Sequence, residues 1–246
     1  MNSALLFQLF KVESISNDSR KRMFELMSEN YNKVTEANFF NDLEKKQWVG
    51  LINDVDGIIQ GFTTFAIDPG TTAEDDYHVL FSGDTVLATE HWGTQVMMQG
   101  WCTSVGRFIA GDTKKPWYWY LLSKGHRTYM YLPLFFEHYY PAIEPGTQND
   151  ELKKIADRVS RNLFPDSWKP DEGILRFDES LGELKPELAE ATFQKKGSPF
   201  INFFLEKNPA FNKGEELVCT ALIHPDHLLR SAKKFILEGM KDPILH

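Results

Sequence analysis

Val79-Leu80-Phe81-Ser82-Gly83-Asp84-Thr85-Val86-Leu87 is an apolar run broken by a polar triplet, and it leads through Glu90-His91-Trp92-Gly93-Thr94-Gln95 into the apolar stretch Val96–Trp101. Trp117-Tyr118-Trp119-Tyr120-Leu121-Leu122 follows, then Lys124-Gly125-His126-Arg127 and the aromatic segment Tyr129–Tyr140. The alternation predicts two strands, Tyr77–Thr89 and Trp117–Ser123, each followed by a helix, Thr94–Ile109 and Thr128–Tyr139. Pro133 lies inside the second helix, which therefore begins or kinks there. Six of the eight tyrosines and four of the seven histidines fall between His78 and Tyr140. Tyrosine needs hydroxyl partners that a core supplies poorly, so this region is the candidate working site.

Outward from that stretch, Leu5–Val12 reads as a strand and Ser19–Tyr31 as a helix capped by Asn17 or Asp18. Thr35 opens a second helix ending near Lys46. Trp48–Ile52 and Ile58–Ile67 flank the Asp54–Gly57 turn as a β-hairpin. Beyond Pro141, Asp150–Leu163 is an amphipathic helix, Ile174–Phe177 a short strand, Lys185–Lys195 a helix, Glu216–Ile223 a strand and Pro225–Met240 a final helix. The expected fold is α/β: a mixed central sheet containing an antiparallel hairpin, helices on both faces, and extra C-terminal helices. Residues 1–246 read as a single domain, with 1–141 as its core and 142–246 adding helices and closing strands.

The chain has 246 residues, 42% hydrophobic and 25% charged, with 35 acidic and 27 basic side chains and a formal charge of −8. A phosphate backbone would meet net repulsion, so nucleic acid is not expected as a partner. Met1–Phe7 lacks a basic start followed by a long apolar run, and no stretch approaches the ~18 apolar residues that would cross a bilayer. No membrane partner is expected, and Cys102 and Cys219 read as buried free thiols of a cytoplasmic protein. His224 and His227 are two potential ligands around Asp226. Two ligands do not make a zinc site, Asp226 reads as a helix cap, and no metal is expected.

The element order over Leu5–Pro141 resembles the GNAT acyltransferase superfamily. In that superfamily a pantetheine arm lies between two splayed parallel strands, and the next helix opens with Gln/Arg-x-x-Gly-x-Gly/Ala to bind the coenzyme A pyrophosphate through backbone N–H groups. Gln95-Val96-Met97-Met98-Gln99-Gly100 occupies the corresponding place. Gln95 and Gly100 match, Met98 stands where the first glycine belongs, and Gly93 and Thr94 offer further N–H donors. The superfamily often carries an acid tyrosine ahead of a Glu-Lys-x-Gly-Phe ending. Here Phe136 stands at that position, before Glu137-His138-Tyr139-Tyr140, leaving Tyr131 or Tyr129 to substitute.

The resemblance implies an acyl group moved from a thioester donor, either acyl-coenzyme A or an acyl carrier protein, to an amine or similar small-molecule acceptor. Such chemistry needs a base, oxyanion donors and an acid for the thiolate. Glu90 or His91 is the expected base, Asp84 orients it or the acceptor, and Tyr131 is the acid. Gly93, Thr94, Gln95 and Gly100 are expected at the donor, and Ser82, His126, Arg127 and Tyr129 at the substrate. Gly83 is expected to mark a β-bulge with Asp84 on the opposite face, partnered by His78, His126 or Arg127. The alternative is a non-catalytic binding protein that keeps the fold and has lost the chemistry.

Overall fold

A computed structural model describes residues 4–144, 146, 149–194 and 197–244. Lys195, the expected end of the helix beginning at Lys185, lies outside them. The chain opens with β1 (Leu6–Lys11), α1 (Asn17–Asn30), β2 (Tyr31–Asn32), α2 (Glu36–Leu43), and the hairpin β3 (Trp48–Asn53) and β4 (Ile59–Ile67). β5 (His78–Leu87), α3 (Val96–Ile109) and β6 (Trp117–Ser123) follow, then the short helices α4 (His126–Tyr129) and α5 (Tyr131–Phe135) and β7 (Tyr139–Tyr140). The remainder is α6 (Asn149–Leu163), β8 (Trp168–Lys169), β9 (Ile174–Leu175), β10 (Glu183–Leu184), α7 (Pro186–Gln194), α8 (Pro199–Lys207), β11 (Glu216–Ile223) and α9 (Arg230–Gly239).

The helix starts have local causes. Ser16, rather than Asn17 or Asp18, caps α1: its hydroxyl accepts the Ser19 N–H at 3.1 Å, so the two candidates instead form the first turn. Thr35 caps α2 in the same way, from Asn38 N–H. The helix expected over Thr128–Tyr139 is two short pieces. Pro133 lies in the first turn of α5, where a missing N–H is tolerated. The chain then turns extended at Phe136, and Tyr139–Tyr140 pairs with β11. The last helix begins only at Arg230, after a 3-10 turn over Pro225–His227. α8 has no counterpart in the sequence expectation, because Phe200-Ile201-Asn202-Phe203-Phe204-Leu205 shows an apolar run without a clear period.

One sheet runs in the order β1-β3-β4-β5-β6-β11-β9-β8, with β7 on the same edge of β11 as β9. Every pairing in it is antiparallel except β5 with β6. α3, α5, α8 and α9 pack Trp101, Phe135, Phe204 and Ile236 onto one face with Leu80, Trp119 and Cys219. α1 and α2 cover the other face over Phe62 and Val86, and α6 covers it over Phe81, Tyr120 and Val218. This is the mixed sheet with helices on both faces that the sequence implied. No helix among the described residues is long and apolar enough to cross a membrane.

Candidate functional site

The single parallel pair fixes the site. β5 and β6 are in register from His78 with Trp117 to Ser82 with Leu121, and there the ladder stops. β5 continues to Leu87 and β6 to Ser123 without meeting again. Two features of β5 drive the parting. Thr63 pairs with Thr85 and Phe65 with Ser82, so Gly83 and Asp84 together face the single residue Thr64: a β-bulge, which bends the strand and raises its twist. At the fork, the Trp119 indole N–H donates to Ser82 Oγ at 2.6 Å, holding the strands together just where they diverge.

Three cavities meet at this fork. On the α2 side, a chamber of about 230 Å³ is walled by Tyr31, Asp42, Gly83, Asp84, Lys124 and Glu216. On the side of the α3 N-terminus, a chamber of about 320 Å³ is walled by Leu87, Trp92, Gly93, Thr94, Met97, His126, Arg127 and Tyr131. Between them a void of about 20 Å³ lies over Ser82, Met98, Trp101 and Trp119. Thr85 and Thr128 line all three, so the two chambers approach each other through the gap between the strand ends. Neither threonine is a candidate in the sequence, because a lone Thr carries no motif.

The α2-side chamber is densely charged. Lys46 Nζ, almost wholly buried, bonds Asp42 at 2.8 Å and lies 4.7 Å from the Phe81 ring centroid. Lys124 Nζ is 3.3 Å from Glu216 and 5.7 Å from the Tyr31 ring centroid. Burial works against the Lys124 charge, but Glu216, Asp84 and Tyr31 outweigh it and its pKa is raised. Asp84 makes no hydrogen bond to another described residue. Burial, then the neighbouring Asp42 charge, raise its carboxyl to about 6 despite Lys124 and Lys46. Gly83 and Asp84 wall the same chamber, not opposite faces, because the bulge cancels one step of alternation. Asp84's cationic neighbours are the lysines Lys124 and Lys46, whereas His78 is held between Asp68 and Asp112 at 2.8 and 3.2 Å.

The α3-side chamber holds fewer charges. Arg127 lies with its guanidinium carbon 3.7 Å from the Trp92 ring centroid and has no ion pair to a described residue. Desolvation lowers its pKa. Gly93 has φ +89° with open space where a Cβ would stand, a conformation that favours glycine. Gln95, the residue before α3, makes no side-chain cap, so the first N–H groups of the helix have no partner from it. Tyr131 lines both this chamber and the void at the fork, and burial raises its pKa.

Several sequence candidates lie elsewhere. Glu90 is exposed and His91 half-buried in the 3-10 turn Thr89–His91, and neither lines the three cavities. His91 instead helps to lower the Asp54 pKa, after that carboxylate's bonds to Gln60 and Ile58. Gly100 is a packing residue: a Cβ there would stand 2.1 Å from the Phe7 ring of β1. Tyr129 is fully buried, its hydroxyl donating to the Pro141 carbonyl at 2.9 Å. Phe136, also in the core, packs against Trp119 with ring centroids 5.6 Å apart. Tyr31, Asp42 and Glu216, which β2, α2 and β11 bring beside Lys124, carry no signal along the chain.

No protein-family model matches the chain, and no curated protein matches it. Solved structures similar to it include a GNAT family N-acetyltransferase (YhbS) from Escherichia coli in complex with CoA, 12% identical over 50% of this chain with a TM-score of 0.38. The chain covers 65% of that protein, under two thirds of its length. An acyl-CoA N-acyltransferase from Pseudomonas aeruginosa is 14% identical over 52% of this chain and 85% of its own, with a TM-score of 0.41. Escherichia coli ElaA is 14% identical over 57% and 90%, with a TM-score of 0.39.

Proposed function

We propose that this divergent GNAT-like fold transfers an acyl group from a coenzyme A thioester to an amine, the donor entering by the α3-side chamber and the acceptor by the α2-side chamber. The observation that carries the reading is the meeting of two chambers at Thr85 and Thr128, where β5 and β6 part. Acyl transfer needs two substrates brought to one point from separate entrances, and a fork in a sheet supplies that.

On the donor side, Arg127 stacked on Trp92 offers a cation to an anionic group, and Gly93 with the uncapped start of α3 offers N–H groups to a phosphate. On the acceptor side Lys46 bonds Asp42, Lys124 lies against Glu216 and Lys45 also lines the chamber, so Asp84, without an ion pair to a described residue, is the acid offered to a cationic amine. Asp84 takes the proton from the ammonium, a role for which a carboxyl raised to about 6 is better suited than an ordinary one. The amine nitrogen then attacks the thioester carbonyl, the C–N bond forms and the C–S bond breaks. Tyr131, kept protonated by burial, gives its proton to the departing thiolate and takes up the second proton that the new amide nitrogen loses, so the ammonium's other proton stays on Asp84.

Glu90 and His91 have no part in this reading, since they stand outside the chambers. The buried Phe136 favours the non-catalytic alternative, because it leaves no acid at that point. One experiment addresses both. Acetyl-coenzyme A at about 1 mM should raise the thermal midpoint by several degrees, since a ligand at ~100 times its Kd adds about 2.7 kcal/mol. With a panel of diamines and amino sugars it should release free thiol. No shift with coenzyme A or its acetyl ester rejects the donor site; a shift with no thiol release from any amine leaves the binding protein.

A further inference from the structure

Glu137, His138 and His227 form a second constellation away from the fork, brought together from residues ninety positions apart. Their candidate ligand atoms all lie within 4.8 Å of one another. His227 Nδ1 is 3.3 Å from Glu137 Oε2. That is the edge of a tetrahedron whose centre makes bonds of about 2.0–2.1 Å, the range for zinc with imidazole or carboxylate. The His138 and His227 rings are 4.7 Å apart at 60°, too tilted to be a stacked pair. His224 is next, its ring 5.5 Å from that of His227.

The backbone holds the set in place. Glu137 N–H donates to His227 O at 3.0 Å, Leu229 N–H to Phe135 O at 2.8 Å, and Phe136 and Leu228 form an antiparallel bridge. The segment after α5 and the turn before α9 are therefore zipped together, with their ligating side chains presented from adjacent backbone. Glu137 is 47% exposed and His227 34%, so an ion can enter from solvent and keep a water. None of Glu137, His138 and His227 lines either chamber at the fork, so the cluster is not part of them.

The geometry points to a binding site for one divalent transition-metal ion, held by Glu137, His138 and His227 with a fourth position open to water or His224. Two imidazoles and one carboxylate suit Zn2+, Co2+ or Ni2+ and not Mg2+ or Ca2+, which need oxygen ligands. The expectation of no metal weighed His224 and His227 without Glu137 and His138, which join them only through folding. A bound ion would staple the chain after α5 to the start of α9, and this does not depend on the acyl-transfer reading.

The test is calorimetric titration of Zn2+ into the full chain, with Mg2+ as the comparison and Co2+ absorption as a second readout. The expected result is one equivalent of Zn2+ bound at ~10 µM or tighter, a raised thermal midpoint, no heat with Mg2+, and a visible Co2+ band typical of four-coordination. His138→Ala and His227→Ala should each weaken Zn2+ at least ~100-fold, and Glu137→Gln ~10-fold or more. Absence of binding at ~1 mM Zn2+, several weak equivalents, or affinity unchanged in these variants would overturn the site. Should an alanine variant fail to fold, the stoichiometry and Co2+ spectrum of the unaltered chain still decide.

Discussion

The Trp119 indole donates to Ser82 Oγ at 2.6 Å, reaching from β6 to the last residue of β5 that the parallel ladder pairs. Both residues are buried, at 2% and 3% exposure, so the bond is shielded from water. It marks the point from which the two strands diverge and the chambers open. Ser82, a substrate-binding candidate by sequence, is by its contacts a clasp.

Ser82→Ala leaves the Trp119 N–H buried without its acceptor. The expected loss is about 1–3 kcal/mol of folding free energy in urea titration, the cost of an unpaired buried donor. A loss within error would mean that the clasp contributes nothing.

Asp84→Asn should stabilise the chain at alkaline pH. The folded carboxyl is raised to about 6, so the folded state binds the proton more tightly than the unfolded one, whose value is about 4. The aspartate's contribution is most favourable below about pH 4 and is lost as pH rises through about 6. The asparagine variant should therefore gain of order 1–3 kcal/mol at pH 8, shrinking to nothing by about pH 4. Its turnover should fall ~100-fold or more if Asp84 is the base. A gain equal at pH 4 and pH 8 would show that burial of the charge is not its source.

Arg127→Ala should raise the Kd for coenzyme A about tenfold at low ionic strength, with a smaller effect in ~0.5 M salt. Arg127→Lys should recover only part, because an ammonium lacks the flat face that stacks on Trp92. Unchanged affinity in both variants would remove Arg127 from the donor chamber.

Tyr131→Phe should lower kcat ~10–1,000-fold with little change in the donor Kd, since it removes a proton and not a contact surface. Its folding stability should change little, which urea titration can check. A parallel loss of donor affinity would mark Tyr131 as a contact to the thioester arm rather than an acid.

The local sequence determined most of the frame. Trp117–Ser123 and Glu216–Ile223 are strands at their expected bounds, and the Asp54–Gly57 turn joins the expected hairpin. These follow from β-branched and aromatic runs with turn residues between them, information that neighbours along the chain share. The bulge at Gly83 was legible too, because a glycine inside an apolar strand has few other uses. The tertiary structure alone decided which groups meet. Asp84 faces Lys124, Glu216 and Asp42 because β5, β6, β11 and α2 converge at the fork, while Glu90 and His91, adjacent in sequence to that strand, turn away beyond its end. Glu137 and His227 meet for the same reason, through a backbone pairing ninety residues apart. Periodicity reports the direction of a side chain relative to its own element. It carries no record of which other element lies opposite, and charge chemistry depends on that distance.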